Sequence, residues 1–168
     1  GFAEIITGTG PGAAGQLNVF DGATHAQVNA LLPFSANFKG GVFVAVGDFN
    51  GDGVRDLIAS VDKNWLPIVS VFDGATIYAR TPQVLSSFQA FPNTERTGVR
   101  LAVKAVDGGA AGNVEKVSLM LSSGSGGGAV SRKVRQAIFN GLTPNVVDRV
   151  FENAKVRRKF VFDGIYVG

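Results

Sequence analysis

A repeated six-residue segment constrains the fold of this chain more than any other feature. VFDGAT occurs at residues 19–24 and again at residues 71–76, and a looser copy, IFNGLT, begins at Ile138. The copies are spaced 52 and 67 residues apart, and a short apolar run precedes each of them. Spacings of this size are typical of proteins built from repeated four-stranded sheets. One such sheet cannot bury both of its faces alone, so the repeat predicts that successive sheets stack face to face.

Short apolar runs predict β-strands along the whole chain. Most are four to seven residues long, rich in Val, Ile and Phe, and bounded by Gly, Pro, Asn or Asp. Turn dipeptides separate them, at Asp21-Gly22, Asp73-Gly74, Asn140-Gly141 and Asp163-Gly164. These dipeptides suit the positive φ angles of a type I′ hairpin turn, which the sequence therefore predicts at these places. Because helical periodicity is almost absent, we expect an all-β chain.

The repeat divides the chain into about three four-stranded blades of a β-propeller, which form a single unit over residues 1–168. We expect repeats at approximately 1–41, 42–98 and 99–159, with a closing strand at 159–168. Each repeat should contain a strand that ends in phenylalanine, at Phe34, Phe91 and Phe151. A β-sandwich is the alternative, but its strands need not recur in groups of four with the same turn. Since propellers typically have four to eight blades, three blades indicate part of a larger or oligomeric propeller.

Residues 47–56, GDFNGDGVRD, carry the strongest chemical signal in the chain. The oxygen donors are the side chains of Asp48, Asn50, Asp52 and Asp56 and the backbone carbonyl of Val54. Ca²⁺ takes six to eight oxygen ligands in a flexible geometry, which this spacing supplies, whereas Mg²⁺ demands a stricter octahedron. An ordinary acidic turn is the alternative. An EF-hand is excluded, because its twelfth position requires Glu and is Ala59 here, between flanks that read as strands.

The strand–DxNxDGxxD–strand pattern, followed by VFDGAT, resembles the FG-GAP/VCBS repeats of integrin-α-like, calcium-binding β-propellers. The resemblance covers nearly the whole chain and is strongest over residues 1–100. It implies that the loop joins the first two strands of a blade and that Asp48, Asn50, Asp52, Asp56 and the Val54 carbonyl bind the ion. The matching loop of the next blade offers only Asp107, Asn113 and Glu115, which are too sparse for an ion. We therefore expect one structural Ca²⁺ per chain.

The resemblance and the calcium loop predict a binding or structural module and not an enzyme. The expected role is adhesion or assembly outside the cell, where calcium is abundant enough to fill a site of ordinary extracellular affinity. The alternative is a carbohydrate-binding lectin in which Trp65 stacks on a sugar; Trp65 could equally anchor its own loop by packing on the blade. No convergent set of titratable residues suggests catalysis, and the single histidine, His25, follows a turn.

Charge is unevenly distributed along the chain. Residues 1–115 carry a net charge of −3 and residues 116–168 carry +6, which gives the overall +3. The basic excess lies mainly at Arg132, Lys133, Arg135, Arg157, Arg158 and Lys159. No aromatic-plus-basic pattern accompanies these charges, so a solvated face or a subunit contact is favoured over a nucleic-acid patch. We expect neither a nucleic-acid partner nor a membrane span, because no apolar run approaches about 20 residues.

The count of predicted strands indicates self-association. Three strands precede the first strand of the calcium hairpin, two groups of four follow, and one closing strand ends the series. If the closing strand completes the first blade, two copies would form a six-bladed ring by exchanging it. The rival interpretation is that the sequence is part of a longer propeller chain that supplies the remaining blades. The expected ligand class is a protein or a glycan.

Overall fold

The computed structural model describes residues 3–106, 116–124, 134–140 and 143–149. Within these residues eleven strands form three antiparallel sheets, each paired in chain order. Sheet 1 contains β1 (Ile5–Gly8), β2 (Leu17–Phe20) and β3 (Gln27–Leu31). Sheet 2 contains β4 (Val42–Gly47), β5 (Asp56–Val61), β6 (Ile68–Phe72) and β7 (Val84–Gln89). Sheet 3 contains β8 (Val99–Val106), β9 (Lys116–Ser123), β10 (Val134–Asn140) and β11 (Thr143–Arg149).

The prediction of an all-β chain is confirmed by these sheets. The one helix in the described residues is a single 3₁₀ turn, Gly74–Thr76, and none there is long and apolar enough to cross a membrane. The predicted closing strand at 159–168 lies outside the described residues. Ring closure does not follow from three sheets, so the β-propeller stays a prediction.

Sheets 1 and 2 repeat one structural unit. Ile5 pairs with Phe20 in sheet 1 as Leu57 pairs with Phe72 in sheet 2, so β1, β2 and β3 correspond to β5, β6 and β7. The register also shifts at the same place in both sheets, just before the phenylalanine of VFDGAT. The shift lies between β2 and β3 in sheet 1 and between β6 and β7 in sheet 2. Among the described strands, β4 therefore has no counterpart in sheet 1.

The turn within each VFDGAT copy differs from the predicted type I′ hairpin. Neither Gly22 nor Gly74 has a positive φ, so that prediction was wrong for both turns. Instead, the Asp73 side chain caps the short 3₁₀ helix by accepting a backbone N–H two residues further on. Glycine is needed for a different reason: a Cβ on Gly74 would stand 2.0 Å from the carbonyl oxygen of Arg55. The repeated glycine thus permits two backbone segments to approach closely.

Sheet 2 lies between sheets 1 and 3. All six residues of β5 are buried, as is required when both faces of a sheet are covered. Ser60 Oγ donates to the Val99 carbonyl of sheet 3 at 2.6 Å. Gly8, which corresponds to Ser60, lies close to Val42 of sheet 2, and a Cβ on Gly8 would stand 2.1 Å from the Val42 carbonyl oxygen. Equivalent positions thus join sheet 1 to sheet 2 and sheet 2 to sheet 3. Sheets 1 and 3 therefore cover opposite faces of sheet 2.

The connections between sheets contribute aromatic rings to the core. The predicted strands ending at Phe34 and Phe91 stop earlier than expected, because β3 and β7 end before these residues. Phe34 instead packs edge-on against Phe38, with ring centroids 5.4 Å apart, and Phe91 is 1% exposed. Burying a side chain of this size stabilises the fold by about 1.5–3 kcal/mol. Phe151 lies outside the described residues.

Candidate metal centre

The predicted calcium motif forms the loop of the β4–β5 hairpin. Gly47 and Asp56 are the last residues paired in the ladder, so residues 48–55 leave the sheet and return to it. Gly51 and Gly53 have φ angles of +81° and +85°, in the left-handed region that glycine adopts without strain. The two glycines therefore curl the loop back on itself.

Asp48 holds the loop closed through both of its carboxylate oxygens. Oδ1 accepts the N–H of Gly51 at 2.7 Å, and Oδ2 accepts the N–H of Gly53 at 2.9 Å. Asn50 adds a similar bond, since its Oδ1 accepts the N–H of Asp52 at 3.0 Å. Hydrogen bonds to a carboxylate are stronger than those between neutral groups. These side chains therefore fix the backbone of the loop.

Asp52 lies at the exposed tip of the loop. Its Oδ1 accepts the N–H of Val54 at 2.7 Å, and its Oδ2 accepts Nδ2 of Asn50 at 2.9 Å. The Val54 side chain is itself exposed. Solvent and ions can therefore reach this part of the motif.

Asp56 is the buried member of the motif, with 0% of its surface exposed. Its Oδ2 accepts the N–H groups of Phe49 at 2.7 Å and Asn50 at 3.3 Å, and its Oδ1 accepts the N–H of Gly74 at 3.0 Å. Gly74 belongs to the VFDGAT turn of the same sheet. One carboxylate thus ties the candidate metal loop to the repeated turn.

Burial dominates the electrostatics of Asp56. Removal from solvent raises the pKa of its carboxyl, the N–H donors of Gly74, Phe49 and Asn50 oppose that rise, and the charge of Asp52 adds to it. Ionisation of Asp56 is therefore less favourable than that of an exposed carboxyl, and a nearby positive charge would oppose the rise in its pKa.

The loop carboxylates have no basic partner in the described ranges. The one ion pair found there joins Arg100 to Asp62 at 2.9 Å, and the same guanidinium lies 4.0 Å from the centre of the Phe43 ring. The negative charges of Asp48, Asp52 and Asp56 are balanced there only by N–H dipoles.

The donor set of the loop suits Ca²⁺ in its chemistry. Three carboxylates, an amide oxygen and a carbonyl are the hard oxygen ligands that Ca²⁺ prefers. Across the residues that the structure describes, however, no three Asp, Glu, His or Cys side chains converge as a metal cluster would. The carboxylates point at backbone N–H groups, but each of their oxygens has two lone pairs and can bind an ion as well as a proton donor. Because the carboxylates do not converge in this structure, a shared ion would require their side chains to rotate toward one point.

Trp65 lies in the β5–β6 connection and is half-buried. Its ring packs against Phe38, with centroids 5.6 Å apart. This contact is the kind expected of a loop anchor. The sugar-stacking role stays a prediction.

Other predicted residues do not join the metal loop. His25 lies in the turn between β2 and β3, where its φ is +59°. Of the basic residues, Arg135 donates to the carbonyl of Ala90 at 2.8 Å and lies 5.7 Å from the centre of the Phe91 ring. The remaining five residues of the basic group, like the acidic residues of the second loop, lie outside the described residues.

Sequence reasoning missed the role of Glu4. By register, Glu4 corresponds to Asp56, since each immediately precedes the residue paired with the VF phenylalanine. Tyr78 donates its hydroxyl to Glu4 and thereby lowers the pKa of that carboxyl. Asn29 donates to two backbone carbonyls of the same segment, at 2.6 and 2.8 Å. Glu4 and Asp56 lie at the same distance before the first and the second VFDGAT copy. This shared spacing is the sequence signal that could have revealed the contact between sheets 1 and 2.

Comparisons of the chain with family models, with curated proteins and with solved structures found no match.

Proposed function

We propose that this chain is a calcium-stabilised β-propeller module that serves adhesion or assembly outside the cell. The observation that carries the proposal is Asp56, a fully buried carboxylate that joins the metal loop to the repeated turn. The three stacked sheets would be consecutive blades. The supporting observation is that Gly8 contacts Val42 and Ser60 contacts Val99, so equivalent positions join each sheet to the next.

A bound Ca²⁺ would neutralise the three carboxylates of the loop and so hold the β4–β5 hairpin against the turn after β6. Extracellular calcium modules bind with dissociation constants of about 10⁻⁴–10⁻³ M. At about 2 mM calcium and the tighter of these values, binding would stabilise the fold by about 1.8 kcal/mol. The same site would be almost empty at the micromolar or lower calcium levels to which the much tighter cytosolic sites are tuned, which favours an extracellular location.

The proposed role is structural and not catalytic. The loop carboxylates are occupied in holding their own backbone, and the single histidine lies in the turn between β2 and β3. Neither arrangement resembles a base aimed at a bound substrate.

The test uses two matched substitutions of turn aspartates. Asp52→Asn keeps an oxygen for the Val54 N–H but removes the charge of one proposed calcium ligand. Asp21→Asn is the control, because Asp21 accepts backbone N–H groups in the same manner in the β2–β3 turn. Melting temperatures are measured by scanning fluorimetry in about 2 mM calcium and in EDTA, where 1.8 kcal/mol corresponds to a rise of about 4–7 °C.

We expect calcium to raise the melting temperature of the wild type and of Asp21→Asn, and to leave Asp52→Asn almost unchanged. An equal rise in all three proteins would show that the ion does not bind at this loop.

A further inference from the structure

The candidate metal loop contains a pair of residues that can react with each other. Asn50 is followed by Gly51, and Asn140 is the one other asparagine in the sequence that precedes a glycine. Asparagine is a thermolabile residue, and a following glycine favours loss of the side-chain amide because no Cβ keeps the glycine nitrogen away from it. Asn50 is exposed and Gly51 is half-buried, so water reaches the pair.

Loss of the amide proceeds through a five-membered ring. The backbone nitrogen of Gly51 attacks Cγ of Asn50, and a new N–C bond forms. The bond from Cγ to Nδ2 breaks, and ammonia leaves with the proton that the Gly51 nitrogen gives up to the solvent. Water then opens the succinimide ring at one of its two carbonyls, which produces aspartate or isoaspartate. The overall reaction consumes one water and releases one ammonia.

Hydrogen bonds in the loop hold the groups that would have to react. The Gly51 nitrogen donates to Oδ1 of Asp48 at 2.7 Å. Oδ1 of Asn50 accepts the N–H of Asp52 at 3.0 Å, and Nδ2 of Asn50 donates to Oδ2 of Asp52 at 2.9 Å. The attacking nitrogen and the amide are therefore bound to different aspartates, and attack requires the bond from Gly51 to Asp48 to break.

We propose that Asn50 is a hydrolytic deamidation site and that Asp48 controls its rate. The closed loop suppresses the reaction, and local opening that breaks the bond between Gly51 and Asp48 allows it. The second oxygen of Asp48 accepts the N–H of Gly53 at 2.9 Å and resists the same opening. This inference goes beyond the proposed function and does not depend on calcium binding.

Either product changes the loop. Aspartate at position 50 adds a carboxylate to those of Asp48, Asp52 and Asp56, and it replaces the amide that donates to Asp52 with a like charge, which repels it. Isoaspartate instead lengthens the backbone between Asp48 and Asp56, so the hydrogen bonds across the loop no longer match. Deamidation therefore weakens the bonds that restrained it.

The reaction is followed by peptide mapping of the folded chain after storage in a mildly alkaline buffer that contains EDTA. Tryptic cleavage after Lys39 and Arg55 gives a peptide, residues 40–55, in which Asn50 is the one asparagine. The mass of this peptide rises when the amide NH₂ is replaced by OH. The fraction converted with time gives the rate at Asn50.

Three variants separate the role of Asp48 from a general loss of stability. Asp48→Ala removes both acceptor oxygens, and we expect it to raise the rate at Asn50 about tenfold, the lower end of what a hydrogen bond to a charged group contributes. Asp48→Asn keeps one oxygen for the Gly51 N–H, so its rate should lie between those of the wild type and Asp48→Ala. Asp21→Ala is the control, because Asp21 accepts backbone N–H groups in the β2–β3 turn and not in this loop. Its rate should equal that of the wild type.

The wild type unfolded in urea gives the rate at Asn50 without a closed loop. We expect the folded wild type to react about tenfold more slowly than this reference. Equal rates in the folded and unfolded wild type would overturn the proposal, and this comparison decides the matter even if Asp48→Ala does not fold. A folded Asp48→Ala that reacts no faster than the wild type, or an equal acceleration by Asp21→Ala, would also overturn it.

Discussion

Replacing Asp56 by alanine should remove the carboxylate that connects the candidate metal loop to the VFDGAT turn. The carboxylate accepts three backbone N–H groups, and it is fully buried. Each buried donor left without a partner costs about 1–3 kcal/mol, although neighbouring losses do not add fully. We therefore expect Asp56→Ala to lower the free energy of unfolding by about 3–5 kcal/mol. Urea unfolding in EDTA measures this contribution without any bound calcium.

Asp21→Ala is the control for this prediction. Asp21 also accepts three hydrogen bonds, from the N–H groups of Ala23 and Thr24 and from the Thr24 hydroxyl, but in an exposed turn. Water can replace these bonds, so the loss should be about 1 kcal/mol. An equal loss of unfolding free energy in both variants would show that burial does not make the hydrogen bonds of Asp56 more stabilising than those of Asp21.

Three further predictions concern the contacts between sheets. Ser60→Ala removes a buried hydroxyl that bonds sheet 3, and denaturant unfolding should show a loss of about 1–3 kcal/mol. Trp65→Ala should lower stability by about 1–3 kcal/mol because the ring packs on Phe38; a stability unchanged together with lost binding on a glycan array would favour the lectin instead. The hydrogen bond from the Tyr78 hydroxyl lowers the pKa of Glu4. The stability that this bond gives the fold is therefore complete above pH 4.5, the ordinary pKa of the group, and is lost as pH falls through the lowered pKa. The difference in unfolding free energy between wild type and Tyr78→Phe should therefore shrink below pH 4.5, and a difference that is flat across this range would contradict it.

The strands and their grouping could be predicted because both signals are local. Apolar runs bounded by turn residues mark the strands, and the spacing of the VFDGAT copies marks the repeat. The loop ligands could be named for the same reason, since all five lie within nine residues.

The burial of Asp56 could not be predicted, because it depends on a contact with Gly74 that lies eighteen residues away in the chain. The role of Gly74 was misjudged for a related reason. Asp-Gly predicts a left-handed turn locally, but the glycine is required by the approach of the Arg55 carbonyl from another strand connection. The packing of Trp65 on Phe38 likewise joins two separate connections and leaves no local pattern. Contacts between distant segments decided each of these features.

Isothermal titration of the wild-type chain with calcium shows whether the β4–β5 loop is a metal site. We expect one ion per chain, bound with a dissociation constant of about 10⁻⁴–10⁻³ M, and no binding by Asp52→Asn under the same conditions. Absence of binding to the wild type at millimolar calcium would contradict the metal site, and two ions per chain would contradict the expectation that the second loop binds none.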